Sequence, residues 1–137
     1  MHSSASKTLS QTSEQLFWDG EDNLGLVTFD VATFEDTIRR ARKALKEGYQ
    51  GAHISFPSAE RLFSVMTAKR WAVIRVMAGA GPLSIREVAR RIERDVKGVH
   101  GDVHALLSCG VLSRTEDGKV VFPFNEVRVD VVVKAAA

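Results

Sequence analysis

The stretch SIREVARRIERDVKGVHGDVHALL, residues 84–107, reads as two amphipathic helices placed end to end. Ser84 followed by Glu87 is a capping box, in which each side chain satisfies a free backbone donor of the first turn. Ile85, Val88, Ala89 and Ile92 then fall on one face, while Arg86, Arg90 and Arg91 fall elsewhere. After two turns the pattern breaks at Glu93 and Arg94. Asp95 caps a second helix with Val96, Val99, Val103, Leu106 and Leu107 as its apolar stripe, and Gly110 is placed to close it in a left-handed conformation. At about 100° per residue, a stripe centred near Val96 and Val103 leaves Lys97, Gly98, Gly101, His104, Ala105 and Ser108 pointing outward, with His100 nearer the core edge.

Outward from this pair the punctuation continues. Towards the C-terminus, VLSRTEDGKVVFPF is two β-prone runs joined through Asp117-Gly118, a pair suited to the positive φ angles of a tight hairpin turn. Val127, Val129, Val131 and Val133 then alternate with Arg128, Asp130 and Val132 as a last strand. Towards the N-terminus, Ser58 and Thr67 are N-cap residues for helices bearing Leu62, Phe63 and Met66 and then Val73, Ile74 and Met77, and AGAGP at 78–82 stops the second.

The first 57 residues have a different rhythm. Residues 1–22 are polar, without sustained apolar periodicity, and are expected to be a mobile tail. From Leu24 to Val31 the chain alternates as a strand. A helix capped by Thr33, with Asp36 in its first turn, runs to Gly48 with Phe34, Ile38, Ala41 and Leu45 as its inner face and Arg39, Arg40, Arg42, Lys43 and Lys46 solvated. Ala52 to Phe56 alternates as a second strand until Pro57. The expected fold class is α+β: a strand-helix-strand segment over 23–57, serving dimerisation or partner binding, then a winged helix-turn-helix domain over 58–137 that ends in a strand.

Composition narrows the function classes. A chain of 137 residues that is 45% hydrophobic and 26% charged suits one soluble domain with an ordinary core. No apolar run approaches the ~20 residues of a membrane span, and the Ser/Thr-rich start lacks the apolar stretch of a secretory signal, so a cytoplasmic location without membrane partners is expected. Residues 1–57 carry six Lys/Arg against eight Asp/Glu, and residues 58–137 carry thirteen against nine, so the positive excess lies with the helix pair. The lone Cys109 reads as a small buried thiol. His100 and His104 share a helical face, but no further Cys or acidic pair completes a tetrahedral set, so no metal is expected. No nucleophile–base–acid spacing or phosphate-cradling loop occurs; Gly79 and Gly81 precede Pro82 without the Lys-Ser/Thr of a P-loop. The expectation is a non-enzymatic protein without cofactors.

A long helix, a two-turn helix, a turn, a capped helix and a hairpin is the order in which winged helix-turn-helix domains place their second helix in the major groove of double-stranded DNA. On that reading Arg94 and Lys97 meet phosphates or guanine edges, Gly98, Gly101 and His104 lie on the reading face, Arg86 and Arg90 clamp the backbone, and Arg114 and Lys119 flank the wing tip. FPSAERL, Met66-Thr67-Ala68-Lys69-Arg70, the RDVKGVHGDVHAL run at 94–106 and VVFPFNEVRVDV together resemble small prokaryotic winged-helix regulators of the MarR-like kind, over residues 56–136. Some of that group are antitoxins. The resemblance implies a homodimeric DNA-binding repressor and, for toxin-linked members, a toxin bound outside the winged helix. The group tends to carry larger polar residues where this chain has Gly98 and Gly101. That departure keeps open an alternative: a protein-interaction module or adaptor whose helix no longer reads bases. An effector-responsive regulator is a third expectation, one that sequence cannot test.

Overall fold

In the computed structural model, residues 25–48 and 51–136 are described. The expected polar tail at 1–22 lies outside them, as does Leu24 at the start of the first strand.

Strand β1 (Leu26–Val31) is followed by helix α1 (Phe34–Glu47) and strand β2 (Ala52–Phe56). Thr33 caps α1 with a complete capping box: its hydroxyl accepts from the Asp36 amide at 3.0 Å, and the Asp36 carboxylate accepts from the Thr33 amide at 3.0 Å. Helices α2 (Ala59–Val65) and α3 (Ala68–Met77) begin at Ser58 and Thr67, whose hydroxyls accept from the amides three residues on. Helices α4 (Ile85–Ile92) and α5 (Val96–Ser108) follow, then strands β3 (Ser113–Arg114) and β4 (Val120–Val121), and finally β5 (Glu126–Asp130). The fold is α+β.

The strands form two sheets. β3 and β4 are an antiparallel hairpin, to which Leu83, just before α4, adds an isolated antiparallel bridge at Val120. The other sheet has the order β2-β1-β5 and is parallel throughout, with Phe29 opposite Ile54 on one side and Val129 on the other. The last strand therefore returns to the first, and everything from α2 to β4 is an excursion between the two edges of one small sheet.

One buried cluster fills the space between that sheet and the helices, and it runs across the expected boundary at residue 57. Val27, Phe29 and Phe56 belong to it together with Leu62, Val73, Ile74, Met77, Val88, Val99, Val103, Leu106 and Phe122. Phe29 is its hub: Trp71 stacks on it at 5.6 Å, Phe56 tilts against it at 5.9 Å and Phe122 meets it edge-on at 6.5 Å.

Several sequence expectations are corrected. None of α1's residues is buried: among the described residues Phe34 is 79% and Leu45 is 88% exposed. What α1 turns inward is Arg40, whose Nη2 reaches the carboxylate of Asp30 at 3.1 Å; His53 Nδ1 and the Ser55 hydroxyl share that carboxylate at 2.9 and 2.6 Å. Buried Asp30 thus has three partners. Phe63 is 56% exposed and Val96 39%, so neither belongs to the apolar stripe. The hairpin turn uses positive φ only at Gly118 (85°), not at Asp117. The Gly118 amide donates to the Thr115 carbonyl and the Thr115 amide to the Lys119 carbonyl, a three-residue loop instead of a two-residue one. β5 stops at Asp130. No helix among the described residues is long and apolar enough to cross a membrane.

Candidate nucleic-acid interface

The two helices of the 84–107 stretch do not run on as a rod. At Glu93 the backbone turns left-handed (φ 58°, ψ 48°), and this is the one non-glycine positive φ among the described residues. The Glu93 amide donates to Arg90 O at 3.2 Å and the Arg94 amide to Ala89 O at 3.1 Å, which closes α4 with a Schellman-type cap. Ser84 caps the front of α4, but the expected box is only half made. Its hydroxyl accepts from the Glu87 amide, whereas the Glu87 carboxylate is drawn to Arg90 (2.9 and 2.6 Å) and Arg91 (2.8 Å). Those hydrogen bonds, Arg90's first, hold the Glu87 carboxyl at about 2.

Helix α5 starts at Asp95, whose carboxylate accepts from the Lys97 amide at 3.2 Å. It ends where Gly110, at φ 82°, lets its amide reach Leu107 O and lets the Val111 amide reach Leu106 O. Val99, Val103 and Leu106 are buried, while Lys97, Gly98, His100, Gly101, His104 and Ser108 are exposed. The outward face read from the sequence is therefore open to solvent except at Ala105, which is half-buried, and it has one addition. His100 is exposed rather than at the core edge, and its ring lies 4.1 Å from that of His104. Among the described residues no three His, Cys, Asp or Glu side chains gather as a metal would need.

Arg94 departs most from expectation. Its Nη1 lies 2.9 Å from Asp102 Oδ2, while Arg70 Nε, from α3, lies 3.1 Å from Asp102 Oδ1 and its Nη1 donates to Val65 O at 3.0 Å. All three side chains are a quarter exposed or less. Asp102 is thus a bracket that ties the start of α5 and the start of α3 to the middle of α5, and Arg94 is occupied within the protein. Gly98 has its reason here: a Cβ at that position would stand 3.1 Å from Arg94 Nη2, so the missing side chain is the path by which the guanidinium crosses the helix. Gly101 is different. A Cβ there would meet nothing within 4 Å, so the surface is bare backbone with open space above it. The sequence named Arg94 and both glycines but missed Asp102 and Arg70; the i, i+8 spacing of Arg94 and Asp102 is not a pairing that helical periodicity suggests.

The remaining cations divide. Arg86 and Lys97 are exposed, and neither has an ion-pair partner among the described residues. Arg90 is engaged by Glu87, yet its side chain is 71% exposed and the pair sits at the surface. On the hairpin, Arg114 is exposed opposite Val120 and has no ion-pair partner among the described residues. Lys119 lies near Asp117, whose carboxyl is held below its usual range chiefly by the Thr115 hydroxyl and to a lesser degree by Lys119. The Leu83–Val120 bridge fixes the hairpin to the start of α4.

A family model described as HVO_A0114 matches residues 65–129, from the end of α2 into β5. No curated protein and no solved structure matches the chain.

Proposed function

We propose that residues 58–137 are a winged helix-turn-helix domain and that the protein is a homodimeric, DNA-binding transcriptional regulator of the repressor class. α5 serves as the recognition helix, α4 as its support and β3–β4 as the wing. The observation that carries the reading is the solvent-open face of α5, where Lys97 at the positive end of the helix, bare Gly101 and His104 are exposed, as is Arg86 on α4, which has no ion-pair partner among the described residues. Arg86, Lys97, Arg90 and the wing residues Arg114 and Lys119 are then phosphate contacts, and the flat surface at Gly101 admits the sugar-phosphate chain or a base edge closely. Arg94 is assigned a positioning role through Asp102 in place of the phosphate contact read from the sequence.

The test is a titration of the full chain against duplex DNA from its own upstream region and a scrambled duplex at two salt concentrations. Preferential binding with a steep salt dependence is expected, and Lys97→Ala with Arg86→Ala should flatten the log–log slope by roughly 0.9 for each phosphate no longer neutralised. Equal affinity for both duplexes, or an unchanged slope in the double variant, would remove the reading.

A second reading has its own support. The exposed Phe34 and Leu45 on α1 suit a protein partner for the 23–57 segment, as in an autoregulating antitoxin that holds its toxin there, or in an adaptor. Phe34→Ser with Leu45→Ser should then abolish co-purification of a stoichiometric partner and leave DNA titration unchanged. Loss of DNA binding in that variant would count against a separate partner surface.

A further inference from the structure

β5 is an edge strand whose charges are not matched among the described residues. The sheet order leaves one side of β5 without a neighbouring strand among those residues. On its polar face Asp130 is in register with Asp30, an unfavourable neighbour whose carboxylate is already taken by Arg40, His53 and Ser55. Arg128 shares that face, and neither Arg128 nor Asp130 has an ion-pair partner among the described residues. On the opposite face Val129 is 46% exposed although it is in register with fully buried Phe29, because no described residue covers it from the open side. Beyond the strand, Val132 and Val133 are 74% and 75% exposed. An edge strand presents a row of backbone donors and acceptors that a further strand can take up, and its charged side chains decide which strand fits.

We propose that the occupant is a second copy of this chain: two β5 strands pair antiparallel about a two-fold axis at Val129, merging the two sheets into one. The sequence of the strand is self-complementary in that register. Arg128 falls opposite Asp130 of the other copy, twice by symmetry, Val127 falls opposite Val131, and Val129 faces its own copy. Directly opposed residues of an antiparallel pair share a face, so the apolar and polar sides both continue across the seam. Neighbouring registers are poorer. Centring on Arg128 or on Asp130 brings like charges together, and centring on Val127 sets Arg128 opposite Glu126 but leaves Val129 against Asn125 and Asp130 against Phe124. A different partner strand would have to reproduce this Arg-x-Asp complement, whereas a second copy carries it already. The inference rests on the dimeric part of the proposed function and supplies the surface that joins the copies; it does not depend on DNA.

Sedimentation equilibrium of the full chain over a range of concentrations tests it. The wild type is expected to be dimeric. Arg128→Asp and Asp130→Arg should each weaken the dimer by about tenfold or more, since each sets like charges opposite at two symmetric positions. Mixing the two single variants should restore association as a heterodimer, because one chain then carries an acid at both positions and the other a base at both, so that every opposed pair is of unlike sign. A misfolded variant would not be rescued in this way. A wild type that is monomeric throughout, a dimer indifferent to both reversals, or a mixture no better than its components would overturn the proposal. A dimer that passes these tests yet binds no DNA would remove only the DNA reading, and a monomer that binds its upstream DNA specifically would remove this inference and the dimeric part of the proposed function while leaving DNA binding in place.

Discussion

Two glycines three residues apart on one helix face have different reasons to be there. Each costs helix stability of about 1 kcal/mol relative to alanine. At Gly101 nothing among the described residues offsets that cost, since a methyl group there would meet no atom within 4 Å. Gly101→Ala is therefore expected to stabilise the fold by about 0.5–1 kcal/mol in urea denaturation and, on the proposed function, to weaken DNA binding; a stabilised variant with unchanged affinity would place the contact elsewhere. Gly98→Ala should gain less, because its Cβ presses on Arg94 Nη2 at 3.1 Å. Asp102 is the residue on which that arrangement turns. Asp102→Asn leaves Arg70 and Arg94 half-buried without a counter-charge, and a loss of roughly 2 kcal/mol is expected in the same measurement. The glycines were visible in the sequence as an anomaly, but their explanation was not, because it depends on a side chain from before the helix lying along it and on an arginine from α3, a contact that no local pattern encodes.

The joint at Glu93 decides whether the 84–107 stretch is one helix or two. A left-handed conformation costs a non-glycine residue roughly 1–2 kcal/mol, and the Schellman hydrogen bonds of Glu93 and Arg94 hold it. Glu93→Gly should raise stability by about 0.5–1 kcal/mol, part of the strain relief being offset by the greater freedom of glycine in the unfolded chain; a fall in thermal midpoint would show that the Glu93 side chain has work of its own. On α4, Glu87 has a folded-state pKa of about 2, below its ordinary 4.5. A depressed carboxyl stabilises the fold at pH values above the unfolded pKa, and that contribution fades as pH falls from near 4.5 toward 2. Carboxyl-resolved NMR titration should show Glu87 ionised to unusually low pH, and an ordinary midpoint would mean that Arg90 and Arg91 do not close on it. At this scale the sequence was readable. Caps, the break at 93–94 and the Gly110 stop all follow from local chemistry, whereas α1 misled because its Phe34, Ile38, Ala41 and Leu45 repeat is a genuine amphipathic stripe that no described residue buries.

At the level of the molecule, β5 is what joins the two rhythms of the sequence. Its valine alternation was legible, but its neighbour was not, since a strand pattern says nothing of which edge it will take. Pairing with β1 places Val127 and Val129 beside Val27 and Phe29, and Phe29 reaches Trp71 and Phe122 across the core. Deleting residues 126–136 should therefore abolish cooperative unfolding instead of trimming a dispensable end, as measured by the loss of a sharp thermal transition; a truncated chain that still melts sharply would show that the helices and the hairpin are self-sufficient.

That adjacency also orders events at the ribosome. β1 is the middle of its sheet, yet its second partner is translated about a hundred residues later. At ~5–20 residues per second, an emerging chain keeps one side of β1 unmated for some seconds after β2 has arrived. Contacts between such distant parts of the chain are slow to form. The nascent protein thus passes through an interval in which Leu26–Val31 can pair with a stranger, and Glu126–Asp130 ends it.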